Sequence, residues 1–410
     1  MQAAFKPDYI DSYSNLGFCL LGSVVEQVSS ERYEDYLRAH VFKPCGMEVT
    51  RLNANTPGIA DLSLAYDEQK REKADFSTPS VPAGAVFSSV DDMTRFLQAW
   101  LNHGRGLRGM LLESNLVEQM FQVQNREVLL DLGHARGLCW DIEESDAGRL
   151  YSHGGALLCF RSQLVIAPEA GLAAVMMANT ATGGGLTWRT KELLKEAALL
   201  KAPALAHSRR QSDPVPQVRL LPLPLEKIPG FYAADFVHIN VTRTNSDLFA
   251  EVHGTLLKLP PNGDGTFRMQ YKEGDVFKDI PDERFLFAEV AGQTLMIQEK
   301  WGSKNNAGVK LTPAPIPAAW RARLGKYHTT RPSSNNWFSE AELIIQDDFL
   351  VLKIPLTLVG QTAPFELQAE DGQVARVPGM NRYSGNVLEA GTFDGGKATL
   401  LFMGAPLKKL

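Results

Sequence analysis

Apolar residues after position 15 recur at helical spacing. Leu20, Leu21, Val24, Val25 and Val28 fall on one face, which predicts an amphipathic helix able to bury that face. Ser29-Ser30 ends it. A second helix is expected over Tyr33, Tyr36, Leu37 and Val41, with Glu31, Glu34 and Asp35 near its start, where the helix dipole favours acids. It should stop at Lys43-Pro44-Cys45-Gly46-Met47. A polar stretch punctuated by Pro and Gly follows to about Pro82, and reads as irregular surface. From Pro82 to Phe87 the chain predicts a sharp turn. Ser89 with Asp92 three residues on then approximates a capping box, ahead of a buried stripe of Val90, Met93, Phe96, Leu97, Trp100 and Leu101. Ser114 is expected to cap a short helix over Leu116 to Phe121.

The pattern then changes to strands. Residues 151–156 lead into two largely apolar runs, 159–168 and 172–179, joined by a turn at Glu169-Ala170-Gly171. Runs of this kind fit a sheet covered by helices. Leu186 to Lys201 predicts a closing helix with Leu193, Leu194, Ala197 and Leu200 on its buried side, and hence an α/β layer architecture. Pro203, Pro214, Pro216, Pro222 and Pro224 mark a linker. Beyond it short β runs alternate with Gly, Pro, Asn and Asp, and the texture repeats. Gly230-Phe231-Tyr232 matches Gly325-Lys326-Tyr327 at an offset of 95 (325 − 230), as Lys258-Leu259-Pro260 matches Lys353-Ile354-Pro355 (353 − 258 = 95). Phe267-Arg268-Met269-Gln270 matches Phe365-Glu366-Leu367-Gln368 at 98 (365 − 267). These matches predict an internal duplication in an all-β barrel or sandwich. The expected organisation is an α/β domain over 1–202, a linker over 203–228, and a β-barrel domain over 229–410 with repeats at 229–310 and 323–410.

Composition narrows the function classes. With 410 residues, 44% apolar and 22% charged, the chain suits two globular domains. A net charge of −5 with interspersed signs gives no electrostatic basis for binding nucleic acid or an anionic membrane. No apolar run reaches the roughly 18–20 residues of a transmembrane helix. Met1-Gln2-Ala3-Ala4-Phe5 lacks the features of a signal peptide. Cys19, Cys45, Cys139 and Cys159 show no C-x-x-C spacing, and the eight histidines show no H-x-x-x-H. The cysteines therefore read as free thiols, and no metal or cofactor is expected.

Two short motifs could carry chemistry: Tyr13-Ser14-Asn15, just ahead of the first helix, and His153-Gly154-Gly155, on a strand. Each has a plain structural reading. Asn15 could be an N-cap, and the glycines could form a turn. Taken with Pro7, Leu20-Leu21-Gly22, Lys43-Pro44-x-Gly46-Met47 and Ser88-x-x-Asp91, the set resembles the penicillin-recognising serine hydrolases. The similar branch is that of class C β-lactamases, D-alanyl-D-alanine carboxypeptidases and esterases. The C-terminal part resembles the lipocalin-like domains appended to some members.

The resemblance implies acyl transfer through a serine ester, on a small-molecule or peptide substrate. In the family a Ser in S-x-x-K attacks the carbonyl. Tyr13 would then relay the proton, Asn15 would bind the substrate amide, and His153 would replace the Lys of K-T-G. Gly154 and Gly155 would let substrate backbone approach closely, and the N–H of Ala156 would help hold the oxyanion. No Ser in the sequence stands three residues before a Lys. The resemblance therefore implies that the nucleophile's segment lies upstream of residue 1, in a part this chain lacks. Family members are often periplasmic or secreted. The rival expectation is an inactive remnant that binds a ligand or partner through its β domain.

Overall fold

The hydroxyl of Ser14 accepts the N–H of Gly17 at 3.0 Å and starts the first helix, α1 (Asn15–Ser29). The N-cap is thus Ser14, and Asn15 becomes the first helical residue. The computed structural model describes residues 5–52, 62–73, 80–157, 159–204, 218–234, 237–252, 254–300, 303–330, 338–356, 361–380 and 383–410. Most of the expected linker, 205–217, lies outside these. The chain forms two compact units. One takes in Ser14–Arg126 and His134–Val215; the other takes in the residues up to Tyr13, Glu127–Gly133 and the β-rich C-terminal part.

In the first unit α1 ends at Ser30, in the left-handed conformation. Its predicted apolar face does not bury: Leu20 is 44% exposed and Val28 80%. What packs is Gly22, where an added Cβ would come within 2.3 Å of Pro82 Cγ. Helix α2 (Tyr33–Leu37) runs on through a π-helical turn, Arg38–Phe42, to Lys43–Cys45 and stops at Gly46, whose φ of 76° favours glycine.

Helix α3 (Val90–Leu101) is capped by Ser89, which accepts from Asp92 N–H at 3.1 Å. The reciprocal half of the expected capping box is absent, because the Asp92 carboxylate is engaged elsewhere. It accepts from the N–H groups of Glu48, Val49 and Thr50 at 2.9–3.2 Å, from the Thr50 hydroxyl at 2.8 Å and from Arg95 at 2.9 Å. These contacts fasten the segment after Met47 to α3. Helix α4 (Ser114–Phe121) already includes Ser114, one residue too early for Ser114 to cap it; Glu113 holds the cap position without a side-chain hydrogen bond.

A five-stranded antiparallel sheet follows: β1 (Ala135–Arg136), β2 (Asp141–Ser145), β3 (Gly148–Leu157), β4 (Phe160–Ala167) and β5 (Leu172–Ala178), in that spatial order. Alternation of side chains divides its faces. Tyr151 and Ile166 pack with Leu97 and Trp100 of α3, beside Trp140 and Phe121. Leu150, Val165 and Ala167 pack with α5 (Leu186–Lys201) through Leu194 and Ala198. Helix α5 therefore buries Thr190, Leu194 and Ala198; Leu193 and Leu200, expected inside, are exposed.

The second unit corrects the expectation of one duplicated barrel: each repeat closes a barrel of its own. Barrel A comprises β6 (Gly230–Ala234), β7 (Val237–Thr244), β8 (Asp247–Val252), β9 (Thr255–Leu259), β10 (Phe267–Glu273), β11 (Val276–Val290), β12 (Gln293–Lys300) and β13 (Ser303–Leu311). Barrel B comprises β14 (Gly325–Thr329), β15 (Glu340–Gln346), β16 (Phe349–Leu356), β17 (Gln361–Ala369), β18 (Val374–Arg376), β19 (Val387–Phe393), β20 (Ala398–Phe402) and β21 (Ala405–Lys409). Each is an antiparallel meander whose last strand pairs with its first. Closure removes the free edges of the sheet.

Of the three sequence matches, the first is structural. Gly230 and Gly325 open the two barrels with φ near 140°. Tyr232 and Tyr327 are buried, and each donates its hydroxyl hydrogen to a carbonyl four residues upstream, of Ile228 and Arg323. The other two matches fall on non-equivalent strands. Lys258-Leu259-Pro260 ends the fourth strand of barrel A, whereas Lys353-Ile354-Pro355 lies in the third strand of barrel B. The connection between the first two strands is longer in the second repeat, so no constant offset can align both.

Barrel A is apolar on both sides of β11. Phe285 and Phe287 face the interior with Tyr232 and Val241. Leu286, Ala288 and Val290 face outward, where Phe5, Tyr9, Ile10, Leu130 and Leu132 cover them. The residues just before Tyr13 thus belong to the barrel unit.

Candidate active site

Each motif residue sits where its element puts it. Tyr13 lies in extended chain immediately before the cap Ser14 and is about half exposed. The segment ahead of it is tied down: the N–H of Asp11 donates to Asp131 Oδ1 at 2.7 Å, and Gln293 Nε2 donates to the Tyr9 hydroxyl at 3.2 Å. Asn15 is exposed in the first turn of α1.

His153, Gly154, Gly155 and Ala156 come together on β3, all exposed. They are strand residues, not a turn. The pairing of β2 with β3 ends at Asp141–Ser152, while that of β3 with β4 continues to Leu157–Phe160. From His153 onward β3 therefore has a neighbour strand on one side only, among the described residues. Its other edge presents backbone N–H and C=O groups, as a strand that accepts an extended peptide must. The glycines also suit the sheet beneath. A Cβ on Gly155 would meet Ser162 Oγ at 2.4 Å, and one on Gly154 would meet Gln163 Oε1 at 2.9 Å.

Surrounding protein atoms hold the His153 pKa below its ordinary 6.5 by desolvation, and the positive charge of Arg136 pushes the same way. Arg136 is itself paired with Asp141 across β1 and β2. At neutral pH the ring is thus neutral. Sequence reasoning missed Arg136, because nothing in its local pattern announces that two short strands bring it beside His153. It also missed Asp131 and Gln293, which lie far along the chain from Tyr13.

Comparison with known proteins decides the lineage. Residues 1–198 match the family model described as Beta-lactamase. Over that stretch the chain is a member of the serine β-lactamase-like family. Penicillin-binding protein 4 of Amycolatopsis lactamdurans is 25% identical over 224 residues, which is 51% of this chain and 58% of that protein. The mitochondrial serine β-lactamase-like protein LACTB of Mus musculus is 27% identical over 189 residues, 40% of this chain and 34% of its own length. The chain therefore spans less than two thirds of either relative. A crystal structure of SurE aligns with a TM-score of 0.50 at 22% identity, over 75% of this chain and 70% of that one. This is a likeness of fold.

Among the described residues, no helix is long and apolar enough to cross a membrane, and no group of three or more His, Cys, Asp or Glu could hold a metal ion.

Proposed function

We propose that this chain supplies the proton-relay and substrate-wall parts of a serine hydrolase site, acting on an amide or ester such as a D-amino peptide, a β-lactam or a short acyl ester. The nucleophile comes from an S-x-x-K segment not contained in these 410 residues. The observation that carries the reading is the one-sided stretch of β3 from His153 to Ala156, with two glycines at its centre. A substrate laid along that edge as an added strand gains main-chain hydrogen bonds. The N–H of Ala156 is the candidate oxyanion donor, and such donors are worth about 3–4 kcal/mol each.

In the reaction the serine oxygen attacks the carbonyl carbon. Tyr13 carries the proton from that hydroxyl to the leaving group, and water then cleaves the ester. Asn15 orients the substrate amide. Neutral His153 serves as a hydrogen-bonding group on the substrate wall. It becomes cationic only in acid, because its pKa is lowered.

The reading is tested by titrating the full chain with a D-alanyl-D-alanine peptide and following backbone amide shifts. Shifts concentrated at His153–Ala156 are expected. Shifts confined to the barrels would instead favour a binding protein. In parallel, a fluorophosphonate probe should leave the chain unmodified by mass; a stoichiometric adduct on one of its serines would contradict a nucleophile held elsewhere.

A further inference from the structure

Barrel A and the outer wall of barrel B line a half-open cavity of about 620 Å³. The barrel B wall carries a row of alternating charge. Glu342 lies in register between Lys326 and Lys353 on the adjoining strands, so these three groups leave one positive charge over, which the remaining acids of the wall exceed. Three further acids line the cavity, Glu251, Glu340 and Asp347. Glu251 pairs in register with Asn240 and Leu256, and Glu340 with His328, so neither has a lysine or arginine opposite.

His238 of β7 lines the same cavity. Its side chain is nine-tenths buried. Nδ1 lies 2.5 Å from Oε1 of Glu366, whose side chain is 4% exposed. A carboxylate there accepts, so Nδ1 carries the hydrogen. The rings of Phe231 and Phe349, with centroids 4.9 and 5.9 Å from the imidazole, fix its orientation. Nε2 is buried and has no hydrogen-bond partner. A buried polar atom without a partner is costly, and it calls for an explanation. Its charged neighbour is Asp347 Oδ2 at 4.0 Å. Asp347 is placed by the two-residue turn between β15 and β16, in which Asp347 and Asp348 have φ of 50° and 65°.

We propose that this cavity binds a small organic ligand through a primary ammonium group seated between Nε2 of His238 and the carboxylate of Asp347. Both groups accept hydrogen bonds, and an ammonium carries three donors and no acceptor. One donor satisfies Nε2, one meets Asp347, and the acids of the wall balance the positive charge. The site shares no residue with the hydrolase reading and does not rest on it.

The test is calorimetric titration of the full chain with 1,5-diaminopentane and, separately, with glutarate, a dianion of similar length. Saturable binding of the diamine and none of glutarate is expected. Asp347→Asn keeps a residue that tolerates positive φ and should leave the melting temperature unchanged. It should weaken the diamine at least about tenfold, the size of one lost charge-assisted contact. Glutarate binding, no diamine binding, or equal diamine affinity in Asp347→Asn would each overturn the proposal.

Discussion

The backbone N–H of Asp11 donates to Oδ1 of Asp131 at 2.7 Å, joining positions 120 residues apart. Leu130 and Leu132, on either side of Asp131, are buried against the outer wall of barrel A, and Phe5, Tyr9 and Ile10, partly buried, pack against the same wall. The barrel thus holds the segment that leads to Tyr13 together with the segment that carries its partner, Asp131. Removing the carboxylate in Asp131→Ala should cost about 1.5–3 kcal/mol, the range for hydrogen bonds to charged groups. It should also speed hydrogen exchange at the Asp11 amide. Gln293→Ala removes one neutral hydrogen bond to Tyr9 and should cost about 1 kcal/mol. Chemical denaturation and exchange mass spectrometry check both values.

Asp92 should matter more. It is buried and gathers the chain from Glu48 to Thr50. Burial alone would raise its pKa, but the hydrogen bonds from Thr50, Val49 and Glu48 outweigh that and hold it below the ordinary 3.8. A depressed carboxyl stabilises the fold above its unfolded pKa, and the contribution is lost as pH falls through the folded value. Asp92→Ala should cost about 3–5 kcal/mol, as for breaking a buried charged network. The loss relative to the wild type should begin to shrink below about pH 4, where the unfolded chain takes up the proton first, and shrink further as the folded carboxyl follows at lower pH. Urea melts at pH 7 and pH 3 measure the difference.

His153 gives the same direction of pH dependence from the opposite charge preference: the fold favours its neutral form. Its folded pKa lies below 6.5, so the folded state binds fewer protons there than the unfolded chain. The group leaves stability unchanged above about pH 6.5 and destabilises the fold progressively as pH drops below it. An NMR titration of the imidazole C–H signals should give a midpoint under 6.5. His153→Asn should narrow the stability lost between pH 7 and pH 5.

The sheet, its helices and the β-rich tail were legible because each is written locally: a largely apolar run bounded by a turn for 159–168, a period of about 3.6 for α3. Burial was less legible, because periodicity shows which residues share a face and not which face meets a neighbour. Helix α1 displays the limit. Its leucines and valines repeat correctly, yet Gly22 makes the close contact with Pro82. The two barrels were read as one because a repeat in sequence says that units are alike, without saying whether they close together or separately. Tyr13, Asn15 and the His153 strand could be found from short motifs. Arg136, Asp131 and Gln293 could not, since tertiary folding alone brings them into play.

The cysteines offer an independent check on packing. Cys45 is fully buried, and burial pushes its thiol up to about 11. Cys159 is also buried, whereas Cys139 is exposed with a pKa raised by the atoms around it. Iodoacetamide at pH 8 should therefore modify Cys139 slowly and leave Cys45 and Cys159 intact until the protein is denatured. Peptide mapping after timed quenching gives the order. Early labelling of Cys45 would contradict the packing around Met47 and Ala99.

The proposed role of Tyr13 is the centre of the account, and kcat of one variant tests it most directly. The S-x-x-K-bearing front segment of a β-lactamase-family enzyme would be joined ahead of residue 1, and hydrolysis of a chromogenic β-lactam or ester followed. Tyr13→Phe keeps the ring and removes the hydroxyl that relays the proton. It should lower kcat by about 10²–10⁴-fold, whereas Asn15→Ala should act partly through KM. Near-full kcat in Tyr13→Phe would contradict the assignment of Tyr13 as the proton relay.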